Sequence, residues 1–219
     1  MEGIAKFVEA QGLSTPLKAL IILTLLAVLP AMAVLMTSFT RTVIVLSFLR
    51  NAMSTQQIPP NQVIIGLSLV LTVFVMAPVF GKINSEALQP YLAGKLDEAG
   101  AWKAAEGPMR EFMFRQTREK DLALMIELAG MDQPQEPEDV PTYVLVPAFC
   151  FSELKTAFQM GFMLFVPFLV IDMVVASALM AMGMLMLPPM MISLPFKILL
   201  FVMADGWNLV VRSIVLSFK

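Results

Sequence analysis

The chain has 219 residues, 58% of them apolar and 15% charged, with no histidine, one cysteine and a formal net charge of −2. Soluble domains carry about 25% charged residues, so this composition, with a mean hydropathy of +0.78, describes a membrane-associated protein. The lack of histidine and the lone Cys150 exclude His-based metal clusters, Ser/His or Cys/His nucleophile pairs and an intrachain disulfide. The scattered basic residues form no stripe suited to nucleic acid.

Charge divides the chain in three: residues 1–81 hold six charged side chains, 82–142 hold nineteen and 143–219 hold seven. The expected fold is all-α, with N-terminal hydrophobic helices (1–81), a soluble helical insertion (82–142) and a C-terminal hydrophobic hairpin with a methionine-rich loop (143–219). Residues 1–16 contain Glu2, Lys6 and Glu9 and lack the positive start, short apolar core and cleavage site of a secretory signal. Ser14-Thr15-Pro16 reads as a helix start. Residues 17–36, charged only at Lys18, supply about the 20 residues that span a hydrocarbon core, with a kink expected at Pro30.

The segment from Thr37 to Arg50 stays apolar but carries Arg41 and Arg50. An arginine placed like Arg41 either snorkels to a headgroup or pairs with a carboxylate inside an assembly. Pro59 and Pro60 mark a turn, and Val63 to Val79 is a second, uncharged span. In the polar segment, Glu86 to Ala99 and Arg110 to Leu128 read as helices divided at Gly107-Pro108. Asp132 to Pro141, with three prolines and four acids, reads as an extended connector.

A third apolar run, Val144 to Leu187, contains Glu153, Lys155 and Asp172, with a bend expected at Pro167. A fourth, Ile192 to Phe218, contains Lys197, Asp205 and Arg212, with Pro195 expected in its first turn. Between them, Met180 to Met191 holds six of the 19 methionines, and Pro188-Pro189 is expected to stop the preceding helix. Flexible, polarizable methionine suits either of two roles: filler between packed helices, or an apolar collar at the tip of a helical hairpin.

A charge at the centre of a membrane helix costs about 2.5 to 3.5 kcal/mol even on the lenient insertion scale. Arg41, Glu153, Asp172, Lys197 and Asp205 therefore need partners or water, and two bases cannot neutralise three acids. The set admits a proton path through Asp172 and Glu153, as in a proton-coupled transporter, or ion pairs that fix helices and subunits in register. No inverted repeat of the kind many transporters carry is recognisable, and a membrane enzyme lacks a histidine base. Charge asymmetry around the spans places the N-terminus and residues 82–142 outside and the loop bearing Arg41 and Arg50 inside.

Several polar motifs recur within the apolar runs: Thr37-Ser38-Phe39-Thr40-Arg41, Leu49-Arg50-Asn51-Ala52, Pro59-Pro60-Asn61-Gln62-Val63, Ser152-Glu153-Leu154-Lys155-Thr156-Ala157-Phe158-Gln159, Pro167-Phe168-Leu169-Val170-Ile171-Asp172, Pro188-Pro189, Leu194-Pro195-Phe196-Lys197 and Asp205-Gly206-Trp207. In this order and spacing they resemble FliP, the flagellar type III export-gate family, which has counterparts in virulence type III secretion systems. The long 82–142 segment is similar to the flagellar branch.

The resemblance implies a non-enzymatic, cofactor-free and metal-free core subunit of a protein-export channel that passes unfolded export substrates. It implies self-association as a ring of five with FliQ-like and FliR-like export-gate subunits, and no nucleic-acid partner. The place implied is the bacterial inner (cytoplasmic) membrane at the flagellar basal body, largely on the periplasmic side, with apolar surface facing neighbouring subunits and lipid. Hydropathy alone gives four ordinary membrane spans instead. Flagellar members often carry a cleaved signal, so a mature or differently targeted chain is implied.

Carried onto this sequence, the methionine loop resembles the family's pore gasket, formed by three consecutive methionines after a glycine. Here the run is Gly183-Met184-Leu185-Met186, so Met184, Leu185 and Met186 take the gasket positions, and Leu185 departs from the pattern while conserving volume and apolarity. Arg41, Glu153, Asp172 and Lys197 fall at charged positions of the family motifs, which implies assembly or gate contacts and leaves their pairing open. A proton-coupled transporter subunit using Asp172 and Glu153 is the alternative.

Overall fold

A computed structural model describes residues 15–55, 58–132, 134, 136–184 and 186–219. Among the described residues every regular element is helical, in agreement with the all-α reading. The order is α1 (Thr15–Leu35), α2 (Phe39–Ala52), α3 (Asn61–Ile83), α4 (Gln89–Leu92), α5 (Glu98–Gln116), α6 (Glu119–Leu128), α7 (Thr142–Ala181), α8 (Pro189–Met203) and α9 (Gly206–Leu216). A π-helical turn, Asn84–Leu88, carries α3 into α4, making one helical run of 32 residues.

Among the described residues, that run and the 40-residue α7 are long and apolar enough to cross a membrane. The pair α8 and α9 meets the same test only if counted as one span bent by 66°. Two or three candidate spans therefore stand among the described residues, where hydropathy alone gives four for the chain; α1 contributes a shorter apolar stretch, Ala19–Met32. The expected Ser14 cap lies outside the described residues.

Contacts divide the chain into two compact units, one from residues up to Thr37 together with Met76–Phe149, the other from Ser38–Val75 and Cys150–Lys219. In the first unit, Phe112 and Met113 of α5 are buried, as are Leu145 and Phe149 of α7. The Phe112 and Phe149 rings meet edge to face at 5.8 Å, a geometry that suits the ring quadrupoles. Arg110 donates to the carbonyls of Pro137, at 3.1 Å, and Val140, at 2.6 Å, and to the Thr142 hydroxyl at 2.6 Å. One guanidinium thus fastens the proline-rich connector, which forms a short 3-10 turn at Pro137–Asp139.

Gly107-Pro108 does not divide two helices: α5 runs through it from the Asp97 cap to Thr117. A proline disfavours helical geometry at the residue before it, but that preference is overridden here, as it is where α3 continues through Ala77-Pro78 and α7 through Val166-Pro167. The actual breaks are Ala93–Asp97, where Gly94 takes φ 68°, and Thr117–Arg118.

In the second unit, α2 buries Arg41, Thr42, Val45, Leu46, Leu49 and Ala52, the three-and-four spacing of a single helix face. Its Phe48 ring lies against Gly161, where an added Cβ would stand 2.6 Å from Phe48 Cγ. The same ring meets Phe158 edge to face at 5.3 Å. The fourth apolar run is two helices: Asp205 takes φ 49° at the break, and Gly206 packs so tightly on the Phe201 ring that a Cβ would lie 2.2 Å from it. Because α8 begins at Pro189, Pro195 stands in its second turn.

The end of α7 also differs from the sequence expectation. The helix stops at Ala181, before the double proline. Gly183 adopts φ 74° and donates to the Met180 carbonyl at 3.0 Å, while Met184 donates to that of Leu179 at 3.0 Å. This is a Schellman end, which satisfies two of the last helical carbonyls and favours glycine at the left-handed position. The prolines instead start the next helix, with Pro188 extended at the cap and Pro189 in the first turn, where a missing N–H costs nothing.

Candidate functional site

Four charged side chains named from the sequence form two pairs inside the second unit. Arg41 of α2 grips Glu153 of α7 with two nitrogens: Nε donates to Oε2 at 2.9 Å, and Nη2 donates to Oε1. Nη1 donates to the Ser217 carbonyl at 2.8 Å and to its hydroxyl at 2.9 Å, while the Phe218 ring lies over the guanidinium at 3.8 Å. Arg41 is 2% exposed and Glu153 is fully buried. A two-point arginine contact of this kind is both strong and directional, and the ring adds a cation–π contact.

Lys197 of α8 uses its ammonium at three points. It donates to Asp172 Oδ2 on α7 at 2.6 Å, to Ser54 Oγ at 2.6 Å and to the Ala52 carbonyl at 3.0 Å. The last two lie at the end of α2, so a cation sits where the helix presents unpaired carbonyls and its negative dipole end. Ser54 reaches the ammonium from a left-handed backbone, φ 59°. The second Asp172 oxygen accepts from the Ser193 hydroxyl at 2.5 Å. Lys197 is 1% exposed and Ser193 fully buried. Removing one partner of such a buried pair leaves an uncompensated charge, so these contacts set register more than they add net stability.

Asp205, the third acid of the sequence set, is exposed at the α8–α9 break. Two bases therefore serve the two remaining acids, Glu153 and Asp172.

The loop between α7 and α8 presents apolar side chains to solvent: Met184 is 42% exposed and Met186 is 97% exposed. Leu185, the third gasket position, lies outside the described residues. In the most apolar stretch of α7 only 11% of residues are buried within the chain.

Sequence reasoning missed the partners that complete the pairs. Ser217, Phe218 and Ser54 carry no pattern that points to a distant charge. Ser193 carried a readable signal, because it lies four residues before Lys197 and so shares its helix face.

Long apolar helices, desolvated ion pairs and unpartnered apolar faces define an all-α protein of membrane type. Residues 22–214 match the model of the FliP family. The chain is 57% identical over 210 residues to the flagellar biosynthetic protein FliP of Bacillus subtilis, covering 96% of this chain and 95% of that protein. It is 54% identical to the FliP of Pectobacterium carotovorum, with 95% and 81% covered, and 50% identical to that of Aquifex aeolicus, with 93% and 86% covered. The chain belongs to the FliP family.

Proposed function

We propose that the chain is a core, pore-forming subunit of the flagellar type III protein-export gate, non-enzymatic, passing unfolded export substrates through a channel sealed by its methionine loop. The observation that carries this reading is the loop between α7 and α8, where Met186 is 97% exposed within the single chain. Apolar side chains left this open call for partners, and copies of the same loop around a ring supply them. The name flagellar biosynthetic protein, borne by relatives that match nearly the whole chain, supports the flagellar setting.

The subunit forms a ring of five with FliQ-like and FliR-like partners, whose surfaces and lipid cover α7 and α3. It resides in the bacterial inner membrane at the basal body, largely on the periplasmic side, with residues 82–142 as its periplasmic insertion. A proton-coupled transporter finds less support, since Arg41 engages both Glu153 oxygens and both Asp172 oxygens are engaged. Native mass measurement of the detergent-extracted complex, with and without the two partner subunits, tests the reading. A closed ring of identical chains is expected; a monomer that transports a solute with protons contradicts it.

A further inference from the structure

We infer that Asp172, Ser193, Lys197 and Ser54 form a latch that positions the methionine loop, an inference that rests on the loop being the seal. Asp172 lies on α7 upstream of the loop, and Ser193 and Lys197 lie on α8 downstream of it. One carboxylate therefore closes the hairpin, with Oδ1 taking the Ser193 hydroxyl at 2.5 Å and Oδ2 the Lys197 ammonium at 2.6 Å. The same ammonium anchors the closed hairpin to the end of α2 through Ser54 at 2.6 Å and the Ala52 carbonyl at 3.0 Å.

This geometry makes the latch a single unit. Lys197 and Ser193 are buried, so they have no water to replace a lost partner. Asp172 keeps a 25% exposed side chain, and Ser54 is half-buried, so these two members are reachable from outside. Between the latch and the loop the hairpin strands are helical, and helices transmit a shift at their base to their ends as rigid elements. Among the described residues, Gly183 and Met184 close the end of α7, the Leu187 N–H donates to the Met184 carbonyl at 3.5 Å, and the Met191 N–H donates to that of Pro188 at 3.1 Å. Ser193, Ser54 and Asp172 are thus positioning residues for the seal, acting through the hairpin.

The test uses the full chain assembled with its partner subunits in vesicles, Cys150→Ser, with a nitroxide on Met186→Cys. Ser193→Ala and Asp172→Asn are each expected to broaden the loop's distribution of spectral mobilities, and Ser193→Thr, which keeps the hydroxyl, to restore the parent spectrum. The same two substitutions, in chains with Met186 intact, are expected to raise small-ion leak several-fold. An unchanged spectrum in assembled Ser193→Ala and Asp172→Asn overturns the latch, whatever the leak. Altered spectra without any leak from a variant with small residues at 184–186 leave the latch in place and overturn the seal.

Discussion

Arg41 and Glu153 lie 112 positions apart in the sequence and meet in a two-point contact from which water is excluded. Ser217 and Phe218 close over the guanidinium, so the pair joins α2, α7 and the residues that follow α9. Breaking a buried pair from one side costs about 3 to 5 kcal/mol. Arg41→Ala and Glu153→Ala are each expected to show this loss in denaturant unfolding of the detergent-solubilised protein. The double substitution to apolar residues of similar volume is expected to lose much less than the sum of the two.

Gly161 is fixed by the Phe48 ring, 2.6 Å from where a Cβ would stand. Overpacking of this kind costs about 1 to 3 kcal/mol. Gly161→Ala should lower stability by that amount in the same unfolding measurement, and adding Phe48→Leu should return part of it.

The Schellman end at Gly183 sets where α7 stops. A side chain in the left-handed region costs about 1 to 2 kcal/mol, so Gly183→Ala should destabilise the chain measurably, while Gly107→Ala tests a different constraint. At Gly107 the backbone is helical and open space surrounds the Cβ position, and α3 continues through Ala77-Pro78 with a Cβ before the proline, so Gly107→Ala is expected to leave α5 intact, seen as unchanged amide exchange in residues 98–106.

Lys82 meets Glu111 at 2.6 Å on an exposed surface. The Lys82 hydrogen bond, then its charge, hold the Glu111 carboxyl below its ordinary value of 4.5. A depressed carboxyl stabilises the fold above its unfolded pKa, and that contribution is lost as the pH falls through the folded value. Carbon-detected NMR titration should find Glu111 ionising below 4.5, with Lys82→Met raising it and added salt reducing the difference.

Helical class and the charged positions were legible because both follow from local chemistry: runs of apolar residues, and charges too costly to leave among them. Pairing was not legible, since Arg41 has Glu153, Asp172 and Asp205 as candidates until the chain is folded. Proline misled twice, at Pro108 and Pro188: long apolar helices here continue through interior prolines such as Pro78 and Pro167 as α5 does through Pro108, and a proline in the first turn starts a helix. Gly183 gave the true helix end, and its signal was a glycine ahead of a proline pair. The methionine loop was visible as composition, while the exposure of Met184 and Met186 follows only from how the chain folds.

The most direct measurement of the central claim is small-ion leak through vesicles bearing the assembled complex in which Met184, Leu185 and Met186 are replaced by small residues. The expected result is an intact assembly, by native mass, that conducts ions several-fold above the parent complex. An intact assembly that leaks no more than the parent would contradict a methionine-sealed pore.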